Sequence, residues 1–306
     1  MSSRQKSGYL YTYSANRAGQ CLMTMLLIGL AHSAKSFAQA PLDIDALMAT
    51  RAELKLQMGY SFLAASDNQL VPLQLAGQES TADLPQLQAI VERDIEAGQW
   101  VSALRYGVDS NLELRSSILQ RDSRTRSPYR PSVTRQSTAL TVGGTWQVSA
   151  DRRTPALLLS LDVDIASSSP LQESEVGYGK SVRVNALTYR TFDPVVLSVQ
   201  LGYEYSSSWR QGNIEYLPGN NATAKTQISF ALNPEVTLIG GLGVQRSEAP
   251  KVSGIELYES ATQINLTLAG GLALSRRSSL FLGADVYASG LSAASVNVEW
   301  LYQFEL

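Results

Sequence analysis

The sequence predicts an all-β protein, an antiparallel transmembrane β-barrel of about 12 strands placed in the outer membrane. Three observations predict it. Apolar and polar residues alternate with period two along many long segments. Short turns and wider loops join these segments in alternation, which is the hairpin rhythm of a barrel. The 306 residues are 44% hydrophobic, yet the mean hydropathy is only −0.07. A wall with one face toward lipid and one toward a polar interior gives that near-zero average. The same composition excludes a disulfide scaffold, a collagen-like repeat and a highly charged disordered chain.

The N-terminal segment has different physics. Residues 1–20 carry Arg4, Lys6 and Arg17 and no acid, and residues 21–31 are a short apolar run. That run is too short to span a bilayer core as a helix. Small residues follow and end in Ala38-Gln39-Ala40, so residues 1–40 are expected to be a secretory signal peptide cleaved after Ala40. Residues 41–50 (PLDIDALMAT) are then a short leader, or a short helix that plugs the periplasmic mouth. The barrel itself is expected over 51–306. Cleavage leaves 21 Lys+Arg against 27 Asp+Glu, a net charge of −6. It also removes Cys21 and His32, the single Cys and the single His. Thiol chemistry, Cys or His zinc sites and any imidazole-based triad are therefore excluded from the mature chain.

The strands follow in order. In 52–62 the even positions are Ala52, Leu54, Leu56, Met58, Tyr60 and Phe62, and the odd positions are polar or small. The stretch 86–108 is less regular and is read as one long strand. Alternation resumes at 111–121, 137–149, 155–167, 180–191, 195–205, 221–232, 235–247, 258–274, 279–289 and 296–306. That makes 12, an even number that returns both termini to one side. Short turns centre near 109, 152, 193, 234 and 277, and wider loops are expected at 64–85, 122–135, 168–179, 208–220 and 248–257. Prolines fall in turns, loops or the first residues of strands, where no ladder hydrogen bond is lost.

The two faces assign the side chains. Tyr60, Phe62, Tyr106, Trp146, Tyr203, Tyr205, Phe230, Trp300, Tyr302 and Phe304 lie on the apolar face, most of them near strand ends. They are expected to form the aromatic girdles at the two lipid interfaces. The opposite face brings Glu53, Lys55, Arg105, Glu113, Arg115, Asp162, Asp164, Arg183, Glu204, Lys225, Asp285, Glu299 and Glu305 into the lumen. These charges either pair into ladders that fill a closed lumen, or line a water-filled pore with mild cation preference. Inward glycines at 59, 107, 143, 202, 241, 243 and 283 leave space there. The loop at 122–135 carries Arg124, Arg126, Arg130 and Arg135, with Arg121 just before it. It is read as a solvated loop, with lipopolysaccharide phosphate as the alternative contact. Apolar residues at alternate positions to the last residue resemble the C-terminal signal read by the outer-membrane assembly machinery, with Leu306 where an aromatic is usual.

The segment 104–114 (LRYGVDSNLEL) resembles a strand-turn-strand motif in a family of proteobacterial outer-membrane barrels of the meta-pathway phenol-degradation type. That family in turn resembles the secretion channel for functional amyloid. The resemblance implies an outer-membrane transport barrel over most of 51–306. It does not carry amyloid export, because the helical coiled-coil region before that channel's barrel has no counterpart in the ten or so residues present here. It supplies no catalytic residue.

The function expected is a passive outer-membrane channel for small solutes or an exported substrate, with no catalytic residue, cofactor or metal. The alternatives are a closed-lumen barrel working through its loops, and an outer-membrane hydrolase built on Asp162 and Asp164. Expected partners are outer-membrane lipid, lipopolysaccharide and the barrel assembly machinery. A homo-oligomer such as a trimer stays open, and the acidic mature chain argues against nucleic acid.

Overall fold

A computed structural model describes residues 48–72, 88–127, 130–168, 181–211, 214–256, 259–288 and 292–304. The expected signal peptide, residues 41–47 of the leader, Glu305 and Leu306 lie outside the described residues.

Alternation of apolar and polar side chains gives each strand two unlike faces, and a sheet of such strands buries its polar face by curling shut. The strands are β1 (Leu54–Pro72), β2 (Gln88–Asp109), β3 (Leu112–Ser127), β4 (Arg130–Ser149), β5 (Ala156–Ser168), β6 (Ser181–Phe192) and β7 (Val195–Ser206). The short β8 (Trp209–Gln211) and β9 (Ile214–Leu217) precede β10 (Asn221–Asn233) and β11 (Val236–Ser247). Then come the short β12 (Lys251–Val252) and β13 (Ile255–Glu256), followed by β14 (Ala261–Ser275), β15 (Ser278–Tyr287) and β16 (Ser292–Phe304). The 12 long strands close one antiparallel barrel in the order β1-β16-β15-β14-β11-β10-β7-β6-β5-β4-β3-β2. Closure is made by β1 on β16, from Leu54↔Phe304 to Ser66↔Ser292. The irregular stretch before residue 109 is one strand, β2.

Two expectations about loops are corrected. The segments 64–85 and 122–135 are not loops from end to end. β1 runs on to Pro72 and β2 starts at Gln88, while β3 runs to Ser127 and β4 starts at Arg130. The β1–β2 and β3–β4 ladders thus continue well beyond the apolar band. Their outer parts, such as Gln120, Asp122, Arg124 and Arg126 on β3, have no apolar face, so alternation does not mark them. Backbone hydrogen bonds carry the sheet there. The connections at 208–220 and 248–257 hold a small second sheet, in the order β13-β12-β9-β8. It stands at the wide-loop end, opposite the end where residues 110–111, 193–194, 234–235 and 276–277 make tight turns.

Candidate functional site

Register decides which inward side chains meet. At the tight-turn end, β1, β2 and β3 bring Glu53, Lys55, Arg105 and Glu113 together. Arg105 donates through Nε to Glu113 Oε1 and through Nη2 to Oε2, both at 2.9 Å. This two-pronged fork gives Arg and carboxylate a fixed mutual orientation. Glu113 has no exposed surface. Lys55 Nζ lies 3.5 Å from Glu53 Oε1 and donates to the Met48 carbonyl at 2.8 Å. Residues 48–50 therefore lie against this cluster. The Ala49 amide donates to Glu113 Oε2, and Thr50 donates to Glu53 Oε2 from both its amide and, at 2.7 Å, its Oγ1. Gly107 is required here, because a Cβ at that position would run into the Thr50 carbonyl. The crossing is locked by the Ala52 amide on the Gly107 carbonyl (2.8 Å) and the Gly107 amide on the Glu53 carbonyl (3.0 Å). Ala52 turns the chain with φ 59°, a left-handed conformation costly for a residue with a Cβ.

Farther along the wall, Arg115 Nη2 donates to Asp162 Oδ2 across β4. Asp164 accepts from Thr141 Oγ1 (2.7 Å), Ser181 Oγ and Arg183 Nη2 (2.7 Å). Arg183 Nε lies 3.7 Å from Glu204 Oε1. Asp285 is held by neutral donors instead: Asn265 Nδ2 (3.1 Å), Thr267 Oγ1, Ser295 Oγ (3.2 Å) and Asn297 Nδ2 (3.5 Å). Lys225 lies between Gln200 and Gly243 in register, and Glu299 between Gly59 and Phe281. The inward charges on β1–β7 thus form alternating acid–base contacts, while β10–β16 carry mostly amides and hydroxyls. Pairing offsets the cost of holding charge in a confined lumen, and it leaves the excess of acids over bases unchanged.

Inward glycines give this wall its shape. Gly143 opposes Asp162, Gly202 opposes Asn185, Gly243 opposes Asn265, and Gly283 opposes Asn297 across neighbouring strands. In each case the partner's carboxylate or amide oxygen occupies the space where the glycine's Cβ would stand. Phe281 does the same over Gly271, and the Lys225 stem passes 3.6 Å from the Cβ position of Gly241. Long side chains that would otherwise project into the lumen lie flat on the wall.

The outward face is apolar. Leu197, Val199, Leu201, Tyr203 and Tyr205 of β7 are all exposed, and every other long strand also exposes large apolar residues on this face, among them Met58, Leu114, Trp146, Leu161, Val184, Ile228, Leu242, Leu268, Leu282 and Val296. Along β7 the apolar run covers about 21 Å of height at a rise of about 3.4 Å per residue and a tilt of about 40°. That is close to the apolar band of about 25 Å of an outer-membrane barrel. Tyr60, Phe62, Tyr203 and Tyr205 lie toward the wide-loop end of this face. Tyr106, Trp146, Phe230, Tyr302 and Phe304 lie toward the tight-turn end, with Trp300 next to them. Tyr302 packs against Trp300 and Phe304 at ring distances of 5.7 and 4.8 Å.

Sequence reasoning missed several participants. Trp100, on irregular β2, faces outward and packs on Tyr60 at 4.8 Å. Thr141 and Ser181 complete the Asp164 cluster, and Asn265, Thr267, Ser295 and Asn297 complete that of Asp285. Each is an ordinary polar residue on its own strand, and only cross-strand register singles it out. Of the arginines at 121–135, Arg121 faces inward and donates to Gln99 Oε1 at 2.8 Å. Arg124 and Arg126 are exposed on the outer side, with Arg126 Nη2 3.2 Å from Glu96 Oε2. Strand β4 carries Arg130 and Arg135. Among the described residues no group of three acidic, Cys or His side chains is placed to hold a metal ion.

The chain is thus a 12-stranded antiparallel barrel of the outer-membrane type. No family model and no curated protein matches the sequence. Solved structures do resemble it. An outer-membrane channel from Pseudomonas putida F1 superposes with a TM-score of 0.61 at 12% identity, over 84% of this chain and 97% of that one. The translocator domain of the autotransporter NalP from Neisseria meningitidis superposes with a TM-score of 0.52 at 13% identity, over 95% and 96% of the two chains. At these identities the likeness is one of fold.

Proposed function

We propose that the chain is a passive outer-membrane channel, a water-filled conduit for small polar solutes. One observation carries the reading: polar side chains are folded flat onto facing glycines around the wall. A barrel designed as a solid plug would send those side chains across the lumen to interlock. With 12 strands about 4.8 Å apart and tilted about 40°, opposite backbones stand about 24 Å apart. Flattened side chains leave a bore of roughly 12 Å across that width, enough for hydrated ions and small solutes. Likeness to a channel of known structure agrees with this reading.

In this reading the signal peptide is cleaved after Ala40, and lipid, lipopolysaccharide and the assembly machinery are the barrel's surroundings. N-terminal sequencing of the mature protein is expected to start at Pro41; a chain retaining residues 1–40 would refute that part. The reading assigns no chemistry to the chain. The test of conduction is planar-bilayer recording of the refolded mature chain, alongside a variant lacking residues 41–49. Discrete conductance steps are expected. Heat-modifiable, folded barrels that carry no current in either form would overturn the conduit and leave a closed structural barrel.

A further inference from the structure

Charge is spread unevenly around the lumen. On β1 to β7 the inward carboxylates of Glu53, Glu113, Asp162, Asp164 and Glu204 each lie within 3.7 Å of an Arg or Lys nitrogen. The adjacent strands β14, β15 and β16 carry no base at all. Their charged residues are Asp285 and Glu299, and both face inward. Glu299 lies toward the tight-turn end, set between Gly59 and Phe281, and accepts from Gln57. Asp285 stands toward the outer end of β15, away from the tight turn at 276–277.

Asp285 is held differently from the paired acids. Its Oδ1 accepts from Asn265 Nδ2 and Thr267 Oγ1, and its Oδ2 from Ser295 Oγ and Asn297 Nδ2. All four donors are neutral, and among the described residues Asp285 forms no ion pair. Neutral donors fix where a carboxylate points and leave its charge uncancelled, whereas a guanidinium at the same distance cancels it. The amide oxygens of Asn265 and Asn297 lie over Gly243 and Gly283, so this collar stays flat on the wall. Asp285 is half-buried, and the surface it keeps opens on the lumen. The inward base on this side of the barrel is Lys225 of β10. Its stem lies against Gly241, which pairs with Thr267, which in turn pairs with Asp285.

We propose that Asp285 sets the charge preference of the conduit: held by neutral donors on a wall without bases, it favours small monovalent cations over anions as they pass β14–β16. It acts by its field, as charged side chains lining a pore do, and Lys225 offsets part of it. In a bore roughly 12 Å wide the carboxylate stands about 6 Å from the axis. That is less than the screening length of about 10 Å at 0.1 M salt. Coulomb attraction over that distance, screened by salt, favours a monovalent cation over chloride by about two- to fourfold.

The proposal rests on the conduit reading, and reversal potentials separate the two. The mature chain, Asp285→Asn and Lys225→Gln are recorded in planar bilayers under a KCl gradient near about 0.1 M, after heat-modifiable migration shows each to be folded. The parent is expected to prefer K⁺ over Cl⁻ by about two- to fourfold, Asp285→Asn to lose about half of that ratio or more, and Lys225→Gln to raise it. Repeating the parent measurement near about 1 M, where the screening length is about 3 Å, is expected to remove most of the preference. The salt series and Lys225→Gln leave Asp285 in place, so they decide the question even for an Asp285 variant that does not fold. Open pores with the same reversal potential in the parent and in Asp285→Asn overturn the proposal, and so does a parent preference that survives the higher salt. Silence of every barrel overturns the conduit, and the proposal with it.

Discussion

Glu113→Gln is the substitution from which the lumen cluster predicts most. Glu113 has no exposed surface, and the Arg105 side chain retains 8%. Both carboxylate oxygens are used, one by Arg105 Nε and the other by Arg105 Nη2 and the Ala49 amide. A neutral amide keeps one acceptor, turns the other into a donor aimed at a guanidinium, and leaves a buried cation without its counter-charge. Breaking a buried pair from one side costs about 3–5 kcal/mol. Glu53 does not replace the lost counter-charge, because it already faces Lys55 at 3.5 Å. Removing both charges with Arg105→Met and Glu113→Leu is expected to cost much less, within about 1–2 kcal/mol of the parent. The assay is reversible urea unfolding from lipid vesicles, followed by tryptophan fluorescence, with both single variants and the double completing a cycle. A loss below about 1 kcal/mol for Glu113→Gln would refute the buried pair, since only a water-exposed pair is worth so little. A double variant as costly as the sum of the two singles would also refute it.

Three further outcomes test the faces and the bore. Leu201 is exposed at mid-height of the outward face, so Leu201→Arg is expected to cost about 2–4 kcal/mol in vesicle folding, while Gln200→Arg, one residue away and inward, costs under about 1 kcal/mol; equal costs would mean the faces are wrongly assigned. Gly243→Leu pushes Asn265 off the wall, and by the bore geometry single-channel conductance falls by roughly a quarter to a half; an unchanged conductance would show that the lumen is not the path. Replacing Asp162 and Asp164 with Asn frees Arg115 and Arg183 from their counter-charges, so the reversal potential in a salt gradient shifts toward anions, and an unmoved potential would place both carboxylates outside the conduction path.

The outer parts of β1–β4 show why sequence periodicity stops where it does. On β3 the outward series Leu112, Leu114, Ser116, Ile118 gives way to Gln120, Asp122, Arg124 and Arg126. Above the lipid both faces are wet, no alternation is selected, and a polar strand is written like a loop. The same holds for the small sheet of β8, β9, β12 and β13, whose strands of two to four residues carry no readable pattern. Arg105 and Glu113 were both legible as inward residues, but their bidentate contact was not. It depends on which rungs of β2 and β3 face each other after the one-residue irregularity between Gly107 and Asp109.

Local chemistry determined where the 12 barrel strands cross the apolar band, the tight turns and the two faces, because the side-chain period of a strand is written in each strand separately. Tertiary structure alone decided closure, pairing and the shape of the lumen. Closure joins Leu54 to Phe304, residues at opposite ends of the chain. Inward Gly–Asn and Gly–Asp partnerships, the shared counter-charges of Arg183 and the crossing of residues 48–50 over Gly107 all require knowing which strand lies beside which. Pairing energy resides between strands, so no single strand's residues encode it.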